Sequence, residues 1–373
     1  MVSYVTSVPL AVPGCSAVHG GAFMAFFTTP SRAAVARLVA DATPRDRSGE
    51  RGPLPTALMH DATGTPFPLA EHLRWAHGLP VIDAPALAQW AGGDGSPSVS
   101  EAQRVQAHVA GLRAWLLHLG AAFGPQMGLH ESADALVLSS LNPREETQVA
   151  DYVRTARHRV ARLLGELAAF PAGQPTVLLV LDDDEAYYRY VSLYYPEGDF
   201  AASSGMFIDA GCPHFVVVRG HLGDIEPVIA HELTHAALAH LRLPRWLDEG
   251  IAVNSERRVA GVRPQLHTPV ELHAMHRAHW TAEKVQALWS GEGFLRADDS
   301  LLSYDLARIL VEQLSGSWEA FAAFLRAAAG AGDGGAQAAR AALGLDLGVC
   351  AAALVEAPDA RGWAPDPLKW ASA

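Results

Sequence analysis

The chain has 373 residues, of which half are hydrophobic and 18% charged, and it carries a formal charge of −12 at pH 7. That length supports two or three domains, or one large one, around a sizeable core, and the composition is that of a globular rather than a disordered chain. The negative balance argues against a nucleic-acid binder, whose phosphate contacts need a basic face, and gives no reason to expect an anionic membrane surface as partner.

Cys15, Cys212 and Cys350 are scattered, odd in number and without a C-x-x-C pair. Neither a disulfide framework nor a cysteine zinc site is expected, which suits a reducing compartment. No basic residue precedes Arg32, so no secretory signal is expected, and the faintly lipoprotein-like Val12-Pro13-Gly14-Cys15 is discounted for the same reason. No run of about eighteen apolar residues predicts a membrane span. The default expectation is a cytoplasmic protein.

Residues 1–144 are expected to be mainly helical, with a role that cannot be read. Helical spacing appears in Ser31–Ala42 and in Ser98–Leu119, where Val105, Val109, Leu112, Leu116 and Leu119 recur on one face, while Thr43–Pro55 reads as an exposed loop. Residues 145–356 are expected to form one α+β domain, followed by a tail over 357–373. Its first helix is predicted over Glu145–Ala169. Strands are predicted at Val177–Leu181, Gly205–Ile208 and His214–Val218, the last two separated by hairpin-like loop chemistry at Asp209–Pro213.

A helix follows, with Asp224 as the expected N-cap and Pro227 in its first turn, running to about Leu241. Pro244 breaks it, and a second helix starts near Arg245. Further helices are predicted over Pro269–His279, Ala282–Trp289, Ser300–Leu314, Trp318–Ala329 and Ala336–Leu343, with Gly330–Gly335 as a turn.

The chemistry is concentrated in Val228–Leu241, VIAHELTHAALAHL. His231 and His235 stand four apart, so on a helix both imidazoles leave one face and can grip one ion. Glu232 lies about 100° round the helix, beside the ion's open position, where it can deprotonate a water. Downstream, Pro244–Ala252 (PRWLDEGIA) offers Glu249, separated from His235 by thirteen residues, as a third ligand from the next helix. Two histidines and one carboxylate complete a catalytic zinc site that leaves the fourth place for water.

HELTH followed by P-x-W-L-x-E-G-x-A resembles the gluzincin metallopeptidases, particularly their minimal MA-like peptidase domains and more distantly the aminopeptidases, in which the two motifs lie further apart. The resemblance covers residues 204–256, thins into a shared topology over 145–330 and does not reach residues 1–140. It implies a Zn2+ hydrolase of peptide or protein substrates. His231, His235 and Glu249 would be the metal ligands and Glu232 the general base. A tyrosine on a later helix often steadies the oxyanion in such proteins, and Tyr304, 55 positions after Glu249, is the candidate. The strand Gly205–Ile208, or alternatively His214–Val218, would hold peptide by backbone pairing.

Other features weigh less. His273, His276 and His279 suggest a second metal site, but a solvated helix face is the plainer expectation. His240 falls off the ligand face. Asp182–Asp184 could bind a cation, but a solvated strand end is the plainer expectation; Tyr187, Tyr188, Tyr190, Tyr194 and Tyr195, near the presumed cleft, could touch substrate but are expected to pack. Asp248 and Glu256 are alternative partners for the ligand histidines. Two rival functions stand beside the peptidase: a zinc-stabilised, catalytically silent scaffold, and a zinc hydrolase of a non-peptide amide.

Overall fold

The structure is a computed structural model that describes residues 46–93, 95–195, 205–262 and 266–370. The expected helix Ser31–Ala42, the first residues of the Thr43–Pro55 loop and Cys15 lie outside the described residues. The fold is a mixed α+β arrangement in which a five-stranded sheet is covered by helices on both faces.

In chain order, the one-turn helix α1 (Ser48–Arg51) is followed by two small hairpins, β1 (Leu58–Met59) with β2 (Pro66–Phe67) and β3 (Leu73–Ala76) with β4 (Leu79–Ile82). Then come α2 (Ala84–Ala91), α3 (Glu101–Phe123), β5 (Gly128–Glu131), β6 (Ala135–Ser139), α4 (Pro143–Leu164), β7 (Thr176–Leu181) and α5 (Asp184–Val191). The second half runs β8 (Gly205–Ile208), β9 (His214–Val218), α6 (Leu222–Leu238), α7 (Arg245–Val259), α8 (Pro269–His279), α9 (Val285–Ser290), α10 (Ser300–Leu314), α11 (Trp318–Ala328), α12 (Ala336–Leu343) and α13 (Leu347–Leu354).

The region before residue 144, expected to be mainly helical, thus also contributes six short strands. Of these, β5 and β6 enter the same sheet as β7, β9 and β8, in the order β5-β6-β7-β9-β8. The run Ala135–Ser139 (ALVLS) is apolar and carries the strand signal that helical periodicity elsewhere in this region obscures. The two flanking pairs, β5 with β6 and β8 with β9, are antiparallel, whereas β6, β7 and β9 are parallel.

Strand β7 is buried at all six positions, as expected of a central parallel strand covered on both sides. Period-two alternation divides the sheet between two cores. Leu178 and Val180 face α4, α6 and α7, while Val177, Leu179 and Leu181 face α2 and α3. Cap chemistry starts the covering helices where the sequence signals it. Ser100 with Gln103 and Asn142 with Glu145 form capping boxes for α3 and α4.

Helix α6 starts two residues before the expected Asp224 cap, with His221 at the N-cap position and no side-chain cap bond. Pro227 therefore lies inside the helix rather than in its first turn. The early start was illegible because His221-Leu222-Gly223 carries no capping signal. The helix ends in a 3-10 turn over Ala239–Leu241, and Arg242 adopts a left-handed conformation (φ 49°) that reverses the chain into α7.

Helix α10 packs closely against α7 at Gly250. A Cβ at that position would sit 2.5 Å from the Ala307 carbonyl oxygen and 2.7 Å from Val311 Cγ2. Trp246, fully buried, pins the start of α7 by donating its indole N–H to the Gly334 carbonyl at 2.9 Å. Residues after 356 fold back on this core, with Trp363 buried and its carbonyl accepting from Trp289 Nε1 at 2.8 Å.

No single helix among the described residues is long and apolar enough to cross a membrane; α12 and α13 pass that test only as a pair bent by 92°. The faces of that pair carrying Ala339, Leu347 and Ala351 belong to the core.

Intrinsic helix propensity alone would favour Gly250→Ala by up to about 1 kcal/mol. The backbone carbonyl in the way reverses the sign, and overpacking is expected to cost about 1–3 kcal/mol. The melting temperature of Gly250→Ala should therefore fall; an unchanged or raised value would show that α7 and α10 are not in this contact.

Candidate metal centre

The α6–turn–α7 hairpin brings the two sequence motifs face to face. His231 and His235, one helical turn apart on α6, place their ring centroids 4.8 Å from each other. Both Nε2 atoms point at the same oxygen of α7: Glu249 Oε2 lies 3.3 Å from His231 and 3.5 Å from His235. Among the described residues this is the one group of three spaced to share a metal ion.

These separations fit a tetrahedral zinc site, since bonds of about 2.1 Å at tetrahedral angles put ligand atoms roughly 3.4 Å apart. The donor chemistry fits too. Glu249 Oε2 is buried and makes no regular hydrogen bond, an arrangement costly for a carboxylate oxygen unless something else occupies its lone pairs.

The remaining ring nitrogens face carboxylates. His235 Nδ1 sits 2.8 Å from Asp248 Oδ2, and His231 Nδ1 3.4 Å from Glu256 Oε2. The choice between Asp248 and Glu256 that the sequence left open is thus resolved by both, one for each ring. At His235 the Asp248 carboxylate accepts the Nδ1 hydrogen bond and leaves the Nε2 lone pair free for an ion, whereas the His231–Glu256 separation is an ion-pair contact without a regular hydrogen bond.

Glu232, 8% exposed, accepts the Phe207 backbone N–H at 2.8 Å on the outer side of edge strand β8. Burial pushes its carboxyl above the usual range, against the pull of both histidines. Tyr304 reaches the site from α10, where its hydroxyl hydrogen-bonds Glu249 and its ring packs edge-on against Phe294 at 5.0 Å. Burial, reinforced by Glu249, holds this phenol well above its ordinary value.

The structure therefore brings all five expected site residues together. It adds Arg245, which sequence reasoning did not single out, and picks Tyr195 out of the tyrosine run. Arg245 precedes Glu249 by one helical turn, and it acts electrostatically on both Tyr304 and Tyr195. The four-residue spacing to Glu249 was the available signal. Tyr195 separates from the other tyrosines in being near Glu232, and burial raises it to about 12.

The rest of the tyrosine run packs elsewhere. Tyr187 and Tyr190 are fully buried on the other face of the sheet, where Tyr190 Oη lies 2.7 Å from His214 Nε2 and burial lowers that imidazole to about 4. The α8 histidines do not form a second metal group among the described residues. Nor do they form a solvated face. His276 is 3% exposed, accepts from Trp280 Nε1 at 2.8 Å and lies 3.0 Å from Asp305 Oδ2, because α10 covers this side of α8. His273 and His279 face Glu356 and Asp299. His240 is exposed in the turn after α6. Asp183 caps α5, and Asp182 accepts from Ser140. Searches with family models and against curated proteins find no match for this chain.

Four carboxylates, those of Glu232, Asp248, Glu249 and Glu256, surround two imidazoles, and this excess governs titration. Burial pulls His231 down, but Glu249 and Glu256 outweigh it and raise the ring to about 9. A folded value above the unfolded one means that its ion pairing stabilises the metal-free fold below about pH 6.5; that contribution is lost as pH rises toward 9.

A metal must displace this proton. Zinc uptake by the metal-free protein at pH 7.5 should release protons, read by calorimetry in buffers of different ionisation heat, and apparent affinity should climb between pH 6 and 9. Uptake with no proton release would contradict the arrangement.

Proposed function

We propose that this protein is a zinc-dependent metallopeptidase with a gluzincin-like catalytic fold, acting on peptide or protein substrates. The observation that carries the reading is the pair of 3.3 and 3.5 Å separations from Glu249 Oε2 to the two Nε2 atoms, with Glu232 on the same helix beside them. A purely structural zinc site is usually closed by a fourth protein ligand and has no use for such a carboxylate. Free Cys212 and Cys350 suit a cytoplasmic setting.

In this reading His231, His235 and Glu249 hold the ion. Bound zinc supplies a Lewis acid for the scissile carbonyl and acidifies a water to a pKa of about 7. Glu232 takes the proton of the attacking water and passes it to the departing amine.

The Phe207 N–H fixes the Glu232 carboxylate while Asp248 and Glu256 fix the rings. Tyr304 donates toward the negative charge that develops on the carbonyl oxygen. Edge strand β8 offers main-chain groups along which an extended peptide can pair.

Glu232→Gln should keep about one zinc per chain, by elemental analysis, and lose hydrolysis of a peptide library by about 10²–10⁴-fold. Cleavage at the parental rate would remove the assigned base, and a protein that never takes up zinc would remove the reading as a whole.

Tyr304→Phe separates two roles for the phenol. Oxyanion stabilisation predicts a fall of about 10²–10³ in kcat with zinc affinity kept. A role confined to steadying Glu249 would show instead as weakened zinc binding.

A further inference from the structure

Away from the metal centre, a cavity of about 220 Å3 opens between α7, α8, α10 and the end of α13. Leu272, Ile309 and Leu354 give it apolar walls, while Arg257, Arg308 and His273 line it with nitrogen donors. Arg257 lies just over two helical turns past Glu249 on α7, so this is a separate site.

The two arginines differ in how they are matched. Arg308 is held by its own helix, with Nη2 2.8 Å from Asp305 Oδ1 and Nη1 3.0 Å from Glu312 Oε2. Asp305 also lines the cavity, but its other oxygen lies 3.0 Å from His276 Nε2, so both of its oxygens are engaged. His273 faces Glu356 at 3.4 Å.

Arg257 is half-buried, and among the described residues it has neither a hydrogen bond nor an ion pair. A guanidinium partly withdrawn from water without an acceptor is unfavourable, and a planar carboxylate is the partner that matches its fork.

We propose that this cavity binds the carboxylate of a small apolar acid, with Arg257 on the carboxylate and the leucine- and isoleucine-lined walls around the hydrocarbon. The volume equals roughly seven waters at liquid density, which suits a body the size of a leucine side chain with its carboxyl group. That chemistry is carried equally by a free branched acid and by the C-terminal residue of a peptide. The inference does not depend on the hydrolase reading, because its readout is binding.

The test is calorimetry on the full chain with 4-methylpentanoate as probe, against 4-methylpentanamide. A tripeptide ending in leucine is titrated in parallel, with its C-terminus free or amidated. The acid should bind at one site, the amide at least about tenfold more weakly, and Arg257→Gln should lose a similar factor. Leu354→Trp, which fills the cavity, should abolish binding. Arg361→Gln, at an exposed guanidinium away from the cavity, should change nothing, with all three variants checked for parental melting.

If the free-ended tripeptide alone binds, and does so through Arg257, the carboxylate comes from a peptide end. An amide that binds as well as the acid, an Arg257→Gln variant that binds like the parent, or no binding of acid or peptide at millimolar concentration would each overturn the proposal.

Discussion

Two imidazoles and a carboxylate meet in this protein at positions 5–6% exposed, with a shared oxygen no more than 3.5 Å from either ring. Charged groups that close, in a helical interior, are costly unless each is matched by an opposite charge or a metal. The surroundings are organised to meet that cost. Asp248 and Glu256 face the outer nitrogens, Tyr304 hydrogen-bonds the carboxylate, and an edge strand holds the neighbouring Glu232. Removing one member would leave the others as uncompensated buried charge.

That convergence in turn constrains the scaffold. The left-handed Arg242 and the Pro244 break reverse the chain between α6 and α7. Gly250 lets α10 approach until Tyr304 touches Glu249, and Trp246 pins the start of α7 to the turn before α12. The W, E and G of the WLDEG segment therefore have three separate physical jobs: an anchor, the carboxylate that meets both imidazoles, and a close approach. The five-stranded sheet serves the same end through β8, whose outer edge receives the Glu232 carboxylate.

Much of this was readable locally. Most predicted elements of the second half recur within a few residues, because they rest on helical or alternating periodicity and on proline breaks that act over one or two turns. The first half was harder. Its first four strands are only two to four residues long, and β6 is stabilised by pairing with β7 across an intervening helix, with β5 added on the outside of β6. The start of α6 was misplaced since no side chain caps it, and the burial of His276 was invisible since it depends on α10, about thirty residues downstream.

Residue spacing alone put His231, Glu232 and His235 on one helix turn and marked Glu249 as reachable, because a helix converts a four-residue interval into a shared face whatever surrounds it. Long-range packing settled the remainder. It assigned one carboxylate to each histidine, set Tyr304 against Glu249, joined strands from both sides of residue 144 into one sheet and placed Arg257 beside a cavity with no counter-ion among the described residues. These are contacts between segments far apart in the chain, where the partner is selected by shape and burial and leaves no local periodicity to be read.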